Sequence, residues 1–264
     1  MKLDYFPQII GLSFLALLLF GIFVYAAPQG PDTFSVGLSE RLSVVANQNT
    51  AALAGNVTAL VIEGRTITRY WQGYFGNVSG NIVLADSAGN NLYVWNVGAP
   101  DGEVYATRFN PVNWTNVWCA NISDLENEDE AFLLVNVSSD TDTINRTFNK
   151  SEFDTFYVGS INFTNGNQHC RATAVNNTGF GASFYEVILV DGDNRTQQGE
   201  YGDSLQGPGV VNRTIYVGLI DQNVGSFRVG SNADFQLMVP EPGAGDEAYP
   251  DGTTTTYYFY VELE

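Results

Sequence analysis

Basic residues are scarce in this chain. Eleven Lys and Arg stand against 29 Asp and Glu, which sets the net charge at −18. Nucleic-acid binding rests on clustered Lys and Arg that displace counterions from phosphates, so nucleic acid is set aside as a partner. Anionic membrane surfaces are disfavoured for the same reason. Histidine is scarcer still, with His169 alone. A Ser-His-Asp or Cys-His arrangement would have to use it, and a zinc site needs more His or Cys than the chain offers. There is no Gly-Lys-Ser/Thr phosphate loop and no dinucleotide glycine pattern after a strand. After Ala51 no dozen-residue window has a clean helical period. The expectation is a protein that is not an enzyme, with no catalytic residue, no metal ligand and no cofactor to assign.

Against these absences, hydrophobic residues make up 44% of 264 residues, enough to build a core. The first feature is Ile9 to Ala27, a continuous and mostly apolar run behind Lys2. Val24-Tyr25-Ala26 places small residues where a signal peptidase reads them. Residues 1–27 are therefore a signal peptide cut after Ala26 or, as the run is just long enough to span a bilayer, a retained N-terminal membrane anchor. A pilin-type leader fits less well. Tyr5-Phe6-Pro7-Gln8 precedes the run, and Pro28 and Pro31 close it. On either reading the membrane is touched only through residues 9–27, and the rest lies outside the cell. Residues 28–48 read as a linker, with one helical turn or a stalk at Leu38–Ala46, and 49–264 as an extracellular β domain. The polar stretch 138–154 marks a possible internal boundary.

From Asn56 onward strand signals rarely stop. Val57–Ile62 and Thr66–Trp71 read as strands. Ile82–Ala85 and Leu92–Trp95 flank Asp86-Ser87-Ala88-Gly89-Asn90-Asn91, the clearest hairpin in the chain. Tyr70–Leu84 should form two successive strands broken at Gly76 and Gly80, with Asn77 at an exposed turn and Trp71 buried. Further strands read at Val104–Phe109, Phe132–Val135, Phe156–Phe163, Cys170–Val175, Phe184–Val190, Thr214–Ile220, Phe235–Val239 and Thr255–Leu263. Gly-Asn, Gly-Pro and Asp-Gly turns separate them. Many short strands with polar turns imply an all-β fold, an antiparallel β-sandwich, either one large or two coupled, after an N-terminal hydrophobic helix.

Glycosylation triplets are over-represented. They start at Asn56, Asn77, Asn113, Asn121, Asn136, Asn145, Asn149, Asn162, Asn176, Asn194 and Asn212. Chance would give about three, so the excess points to an exported glycoprotein. Asn and Thr are also favoured in turns and strands, which is the plainer explanation of the same residues. The two cysteines, Cys119 and Cys170, read as a disulfide in an exported chain, with two buried thiols as the alternative.

The remaining candidates are open. Asp124–Glu130 and Asp191–Asn194 offer oxygen ligands, but neither follows calcium-loop spacing, and both read as solvated loops. Carboxylates are abundant without any pair being marked as a glycosidase pair. Trp71, Trp95, Trp114 and Trp118 invite stacking on sugar rings, although aromatics more often fill sheet cores.

Gly55-Asn56-Val57-Thr58, Tyr70–Gly80, Gly102–Arg108, Phe235–Glu241 and Tyr257–Leu263 together resemble a group of exported archaeal cell-surface glycoproteins. The resemblance covers most of the chain beyond the leader. It implies a cell-surface or secreted location and no activity, so no functional residue carries over. The expected role is a non-enzymatic coat, appendage or adhesion module that meets surface partners, glycans or further copies of itself. A secreted carbohydrate-binding module or carbohydrate-active enzyme is the alternative.

Overall fold

A computed structural model describes residues 27–40, 49–62, 70–97, 101–132, 142–165, 170–176, 183–192, 213–221, 224–225, 232–241 and 254–264. The strands are β1 (Trp71–Gly76), β2 (Gly80–Ala85), β3 (Asn91–Val97), β4 (Gly102–Thr107), β5 (Val117–Cys119), β6 (Phe156–Val158) and β7 (Ile161–Phe163). They continue with β8 (Arg171–Asn176), β9 (Ser183–Asp191), β10 (Thr214–Leu219), β11 (Val224–Gly225), β12 (Asn232–Ala233), β13 (Phe235–Pro240) and β14 (Tyr258–Leu263). Among the described residues two helices, α1 (Ile122–Ala131) and α2 (Ile144–Thr147), interrupt them. The fold is all-β and every strand pair is antiparallel.

The centre is a six-stranded sheet in the order β14-β4-β10-β9-β5, with β8 also paired to β9. Every residue of β4 and β10 is buried. An antiparallel sheet usually leaves one face wet. Here both are covered, and side chains that alternate along a strand separate into two cores. Val104, Ala106, Ile188, Val190 and Tyr216 belong to the first, where α1, α2 and the β1–β13 ribbon pack through Leu125, Ile144, Phe148, Leu237 and Val239. Tyr105, Val187, Leu189, Ile215 and Val217 belong to the second, which the β6–β7 hairpin closes with Phe156, Val158 and Phe163. Residues on both sides of 138–154 contribute to both cores, and Ile144, Phe148 and Phe153 from within it are buried.

Two close approaches fix the ribbon on the sheet. A side chain at Gly218 would press on the Gln236 carbonyl at 3.0 Å, so the glycine lets β13 run directly over β10. The Met238 amide donates to Glu186 Oε2 at 3.0 Å, tying β13 to β9 through a buried carboxyl.

Several sequence expectations change. The acidic stretch 124–130 is not a solvated loop but most of α1. Asn121 caps the helix: its Oδ1 accepts from the Asp124 amide at 2.9 Å, and Asp124 Oδ2 accepts from the Asn121 amide at 2.8 Å. This reciprocal box satisfies amides that a helix N-terminus leaves open, and Asp124 favours the positive end of the helix dipole. Val57–Ile62 makes no sheet pairing among the described residues. Phe156–Phe163 is two strands, turned at Gly159, which takes a positive φ of 55°. Trp71 is half-buried rather than buried. It packs on the first core, and its Nε1 donates to the Asp142 carbonyl at 2.7 Å. Residues 1–26, Thr66–Arg69, Leu133–Val135 and His169 lie outside the described residues.

Candidate interaction face and the buried acids

The β2–β3 hairpin forms where the sequence places it. Ile82 pairs with Trp95, Val83 with Val94 and Leu84 with Tyr93, and the register shifts before Ala85 meets Asn91. Its turn is built by Asp86. Asp86 Oδ1 accepts from the Ala88 and Asn90 amides at 2.9 and 2.8 Å, and Oδ2 accepts from the Asn90 side chain at 2.8 Å. Those donors, the Asn90 side chain first, hold its carboxyl below the usual range. Gly89 takes φ 83°, the left-handed geometry that favours glycine.

What sets this hairpin apart is that both of its faces are exposed, with nothing over them among the described residues. Leu92 is 84% exposed, Trp95 59% and Leu84 58%, and Ile82, Val83, Tyr93 and Val94 are exposed too. Residues directly opposite share a face, so Ile82, Leu84, Tyr93 and Trp95 line one side and Val83 and Val94 the other. Tyr93 and Trp95 rings lie 6.2 Å apart on the first. The root of β2 reaches β14, because a side chain at Gly80 would collide with Leu263. The outer edge of β3 has no partner among the described residues. Soluble proteins rarely leave an apolar patch and an open strand edge together unless something binds there. Neither strand carries a charge, in a chain of net charge −18.

A second constellation lies in the interior. Glu103 and Glu262 stand directly opposite on β4 and β14, 2% and 6% exposed. The Tyr105 hydroxyl lies 3.1 Å from Glu262 Oε2, 3.3 Å from Glu103 Oε2 and 3.3 Å from the Tyr157 carbonyl. The Gly159 amide donates to Glu262 at 2.9 Å. Tyr105 has one proton and three acceptors in reach, so it serves one of them at a time. Burial, then the charges of Glu264 and Glu262, push the Glu103 carboxyl up to about 9, and burial pushes Glu262 up to about 7. Trp114 packs on Tyr105 and Tyr260, each at 5.0 Å between rings. Paired carboxylates beside aromatics are the residue types of a glycosidase. This pair, however, is enclosed, and no sugar ring reaches it.

On the other face Arg108 forms a fork with buried Glu128, both Glu128 oxygens lying 2.8 Å from Nη2. The guanidinium sits 4.5 Å over the Phe132 ring. Burial raises the Glu128 carboxyl and Arg108 opposes the rise. Asp129, one residue on, accepts from the Ile144 amide at 2.7 Å and so caps α2. The acids of α1 thus hold the fold together. The crevice beside them, lined by Leu125, Glu128, Ile144 and Thr214, leaves no room for a water molecule. Asp191, from the other oxygen-rich stretch, pairs with Arg213 at 3.1 Å and accepts from the Asn113 amide. Among the described residues no three His, Cys, Asp or Glu side chains converge as metal ligands do.

The structure joins Cys119 to Cys170, with Cα atoms 4.6 Å apart and a sequence separation of 51. A loop of that length stabilises by roughly 4 kcal/mol in the chain-entropy model. The bridge fits an oxidising compartment. Of the triplet asparagines, Asn56, Asn77, Asn149 and Asn162 are exposed and Asn113, Asn121 and Asn145 half-buried. Asn136, Asn194, Asn212 and the side chain of Asn176 lie outside the described residues. At Asn121 the cap uses Oδ1, not the nitrogen that a glycan would take. The sequence did not mark the Glu103–Glu262 pair. Alternation along β4 and β14 turns both acids inward only because each face of the sheet is covered, and the covering segments are distant in sequence. Comparison of the chain with protein-family models, curated proteins and solved structures gives no match.

Proposed function

We propose that this is a non-enzymatic, exported and N-glycosylated surface protein that works by binding through its β2–β3 hairpin. The observation that carries the reading is the pair of uncharged strands, apolar and exposed on both faces, on an otherwise acidic molecule. Acidic and glycosylated surfaces repel one another, so contact is cheapest where charge is missing. The hairpin tip is polar and capped by Asp86, which argues against a membrane dip and for contact along the strands. Triplet asparagines at solvent-facing positions and the disulfide support a location outside the cell. The enclosed Glu103–Glu262 pair supports a structural use of the acids rather than turnover of a polysaccharide.

The test is a hairpin variant carrying Val94→Lys and Trp95→Lys in the natural host. The variant is expected to be exported and glycosylated at normal levels but released from the envelope fraction by a detergent wash that dissolves the membrane around residues 9–27 and leaves the natural chain bound. An unchanged envelope level overturns the hairpin as the contact face. Hydrolysis of a common polysaccharide, lost in Glu103→Gln, overturns the non-enzymatic reading. A second reading has one observation behind it: Tyr93 and Trp95 expose neighbouring rings on one face of the hairpin, as sugar platforms do. Binding on a glycan array that disappears with Trp95→Ala would put that reading ahead.

A further inference from the structure

Two parts of this chain are apolar and uncharged and offer an open strand edge among the described residues, and each is what the other lacks. One is the hairpin. The other is the segment Val57–Ile62, which reads as a strand in sequence. Its large residues are exposed: Val57 is 101% exposed, Val61 102%, Ile62 83% and Leu60 62%. From Gly55 to Ile62 there is no charged residue. Val, Ile, Leu and Thr at such density favour a pleated, half-buried setting. Six consecutive residues of this kind left bare are also the length of an ordinary strand.

We infer that Val57–Ile62 of one copy adds as a strand to the open edge of β3 in a second copy of this chain. The inference rests on the hairpin being the contact face and goes on to name what fills it. Strand addition supplies main-chain hydrogen bonds along Asn91–Val97 and covers apolar side chains on both faces of the resulting three-stranded sheet. Alternation puts Val57, Ala59 and Val61 on one face and Thr58, Leu60 and Ile62 on the other. Both faces of the acceptor are apolar, so both sets of donor side chains find apolar neighbours. A two-stranded ribbon is marginal in water, and a third strand is what such ribbons need. The chain's own sequence favours this occupant, because it carries an exposed, uncharged strand segment of the same apolar character as the acceptor. Two copies of net charge −18 repel wherever acids meet, and these two stretches bring none. Asn56 precedes the donor strand and Asn77 precedes β2, so glycans at both positions sit beside the contact rather than inside it.

The contact is head-to-tail, because donor and acceptor are different surfaces. Each copy that accepts a strand still has its own to give. Contacts of this kind build open strings unless the rotation closes a ring.

The full exported chain and two variants test this. Variant A carries Val94→Lys and Trp95→Lys and can give a strand but not take one. Variant B carries Leu60→Asp and Ile62→Asp and can take one but not give one. Light scattering coupled to size exclusion is expected to show concentration-dependent oligomers for the natural chain, monomers for A alone and for B alone, and a dimer when A and B are mixed. Circular dichroism checks that both remain folded. Oligomers from B alone would mean that hairpins pair with each other, and strand donation falls. A monomeric natural chain at about 100 μM, far above a nanomolar to micromolar interface, would also overturn it. If the natural chain is monomeric yet A is still released from the envelope, the hairpin remains the contact face and only the second copy is wrong as its occupant.

Discussion

Strand β10 and strand β3 are made of similar residues and have opposite fates. Thr214-Ile215-Tyr216-Val217-Gly218-Leu219 is buried at every position. Asn91-Leu92-Tyr93-Val94-Trp95-Asn96-Val97 is exposed at every position but the last. Both are β-branched and aromatic, both are uncharged, and both sit in antiparallel pairs. The difference lies in what covers them. β10 has a strand on each side, a ribbon over one face and a hairpin over the other, whereas β3 has one strand beside it and nothing over it among the described residues. Propensity therefore decides that a strand forms, and packing decides what it contributes. The centre supplies stability, and the hairpin supplies surface.

The same residue type offers the strongest way to break that comparison. Trp71 on β1 packs against Phe148 at 5.9 Å between rings and donates to a carbonyl, while Trp95 on β3 is 59% exposed. Trp71→Ala is expected to cost about 3 kcal/mol, near the lower end for aromatic truncations because the ring is only half-buried. Trp95→Ala should cost less than about 0.5 kcal/mol in the isolated monomer. Urea unfolding of both variants, run dilute, measures the difference. Equal costs would mean that the hairpin is part of the core.

A middle-sized effect sharpens the buried side of the comparison through pH. Glu103 and Glu262 are held up to about 9 and about 7, above the ordinary carboxyl value of 4.5. The folded state therefore keeps protons that the unfolded state gives up. Their stabilisation is complete below about pH 4.5 and is lost as pH rises through 7 toward 9. Between pH 7 and 9, where Glu103 alone still holds its proton, stability should fall by on the order of 2 kcal/mol. Glu103→Gln should flatten the fall, since an amide needs no proton to stay neutral. Denaturant midpoints from pH 5 to 9 check it, and a slope unchanged by Glu103→Gln would assign the dependence to other acids.

How far the sequence spoke depends on whether a feature is local. The β2–β3 hairpin was legible because its turn chemistry and both strands lie within 18 residues, Gly80–Val97. The pairing of β1 with β13 was not, as Trp71 meets Pro240 across most of the chain and no local pattern names a partner so distant. Helix α1 hid for another reason. Its inward positions are Leu125, Glu128, Asp129 and then Phe132, the i, i+3, i+4, i+7 stripe of a buried face with acids at two of the four. Those acids are satisfied by Arg108 and by the amides of α2, partners that only the fold supplies. Val57–Ile62 shows the converse, a clear strand signal that finds no partner within the described chain. The disulfide was legible from count and compartment alone, as two cysteines leave one pairing.

The smallest expected effect isolates the hairpin from the rest. Gly89 has φ 83° and open space around the position where a side chain would start. Alanine there meets no neighbour, so its whole cost is the backbone's reluctance to enter left-handed geometry, about 1 kcal/mol. The loss should stay local. The hairpin touches the central sheet chiefly where Gly80 meets Leu263, and a ribbon attached so lightly can open without the domain. Hydrogen exchange is the measurement. In Gly89→Ala the amides of β2 and β3 should lose about five-fold in protection, while those of β4 and β10 stay as they were. Gly89→Asn should restore most of it, because asparagine tolerates the left-handed region better than other side chains. If β4 and β10 lose protection in step with the hairpin, the two regions open as one unit. Coverage would then not be what separates them, and the exposed strands would be contributing to the stability of the whole.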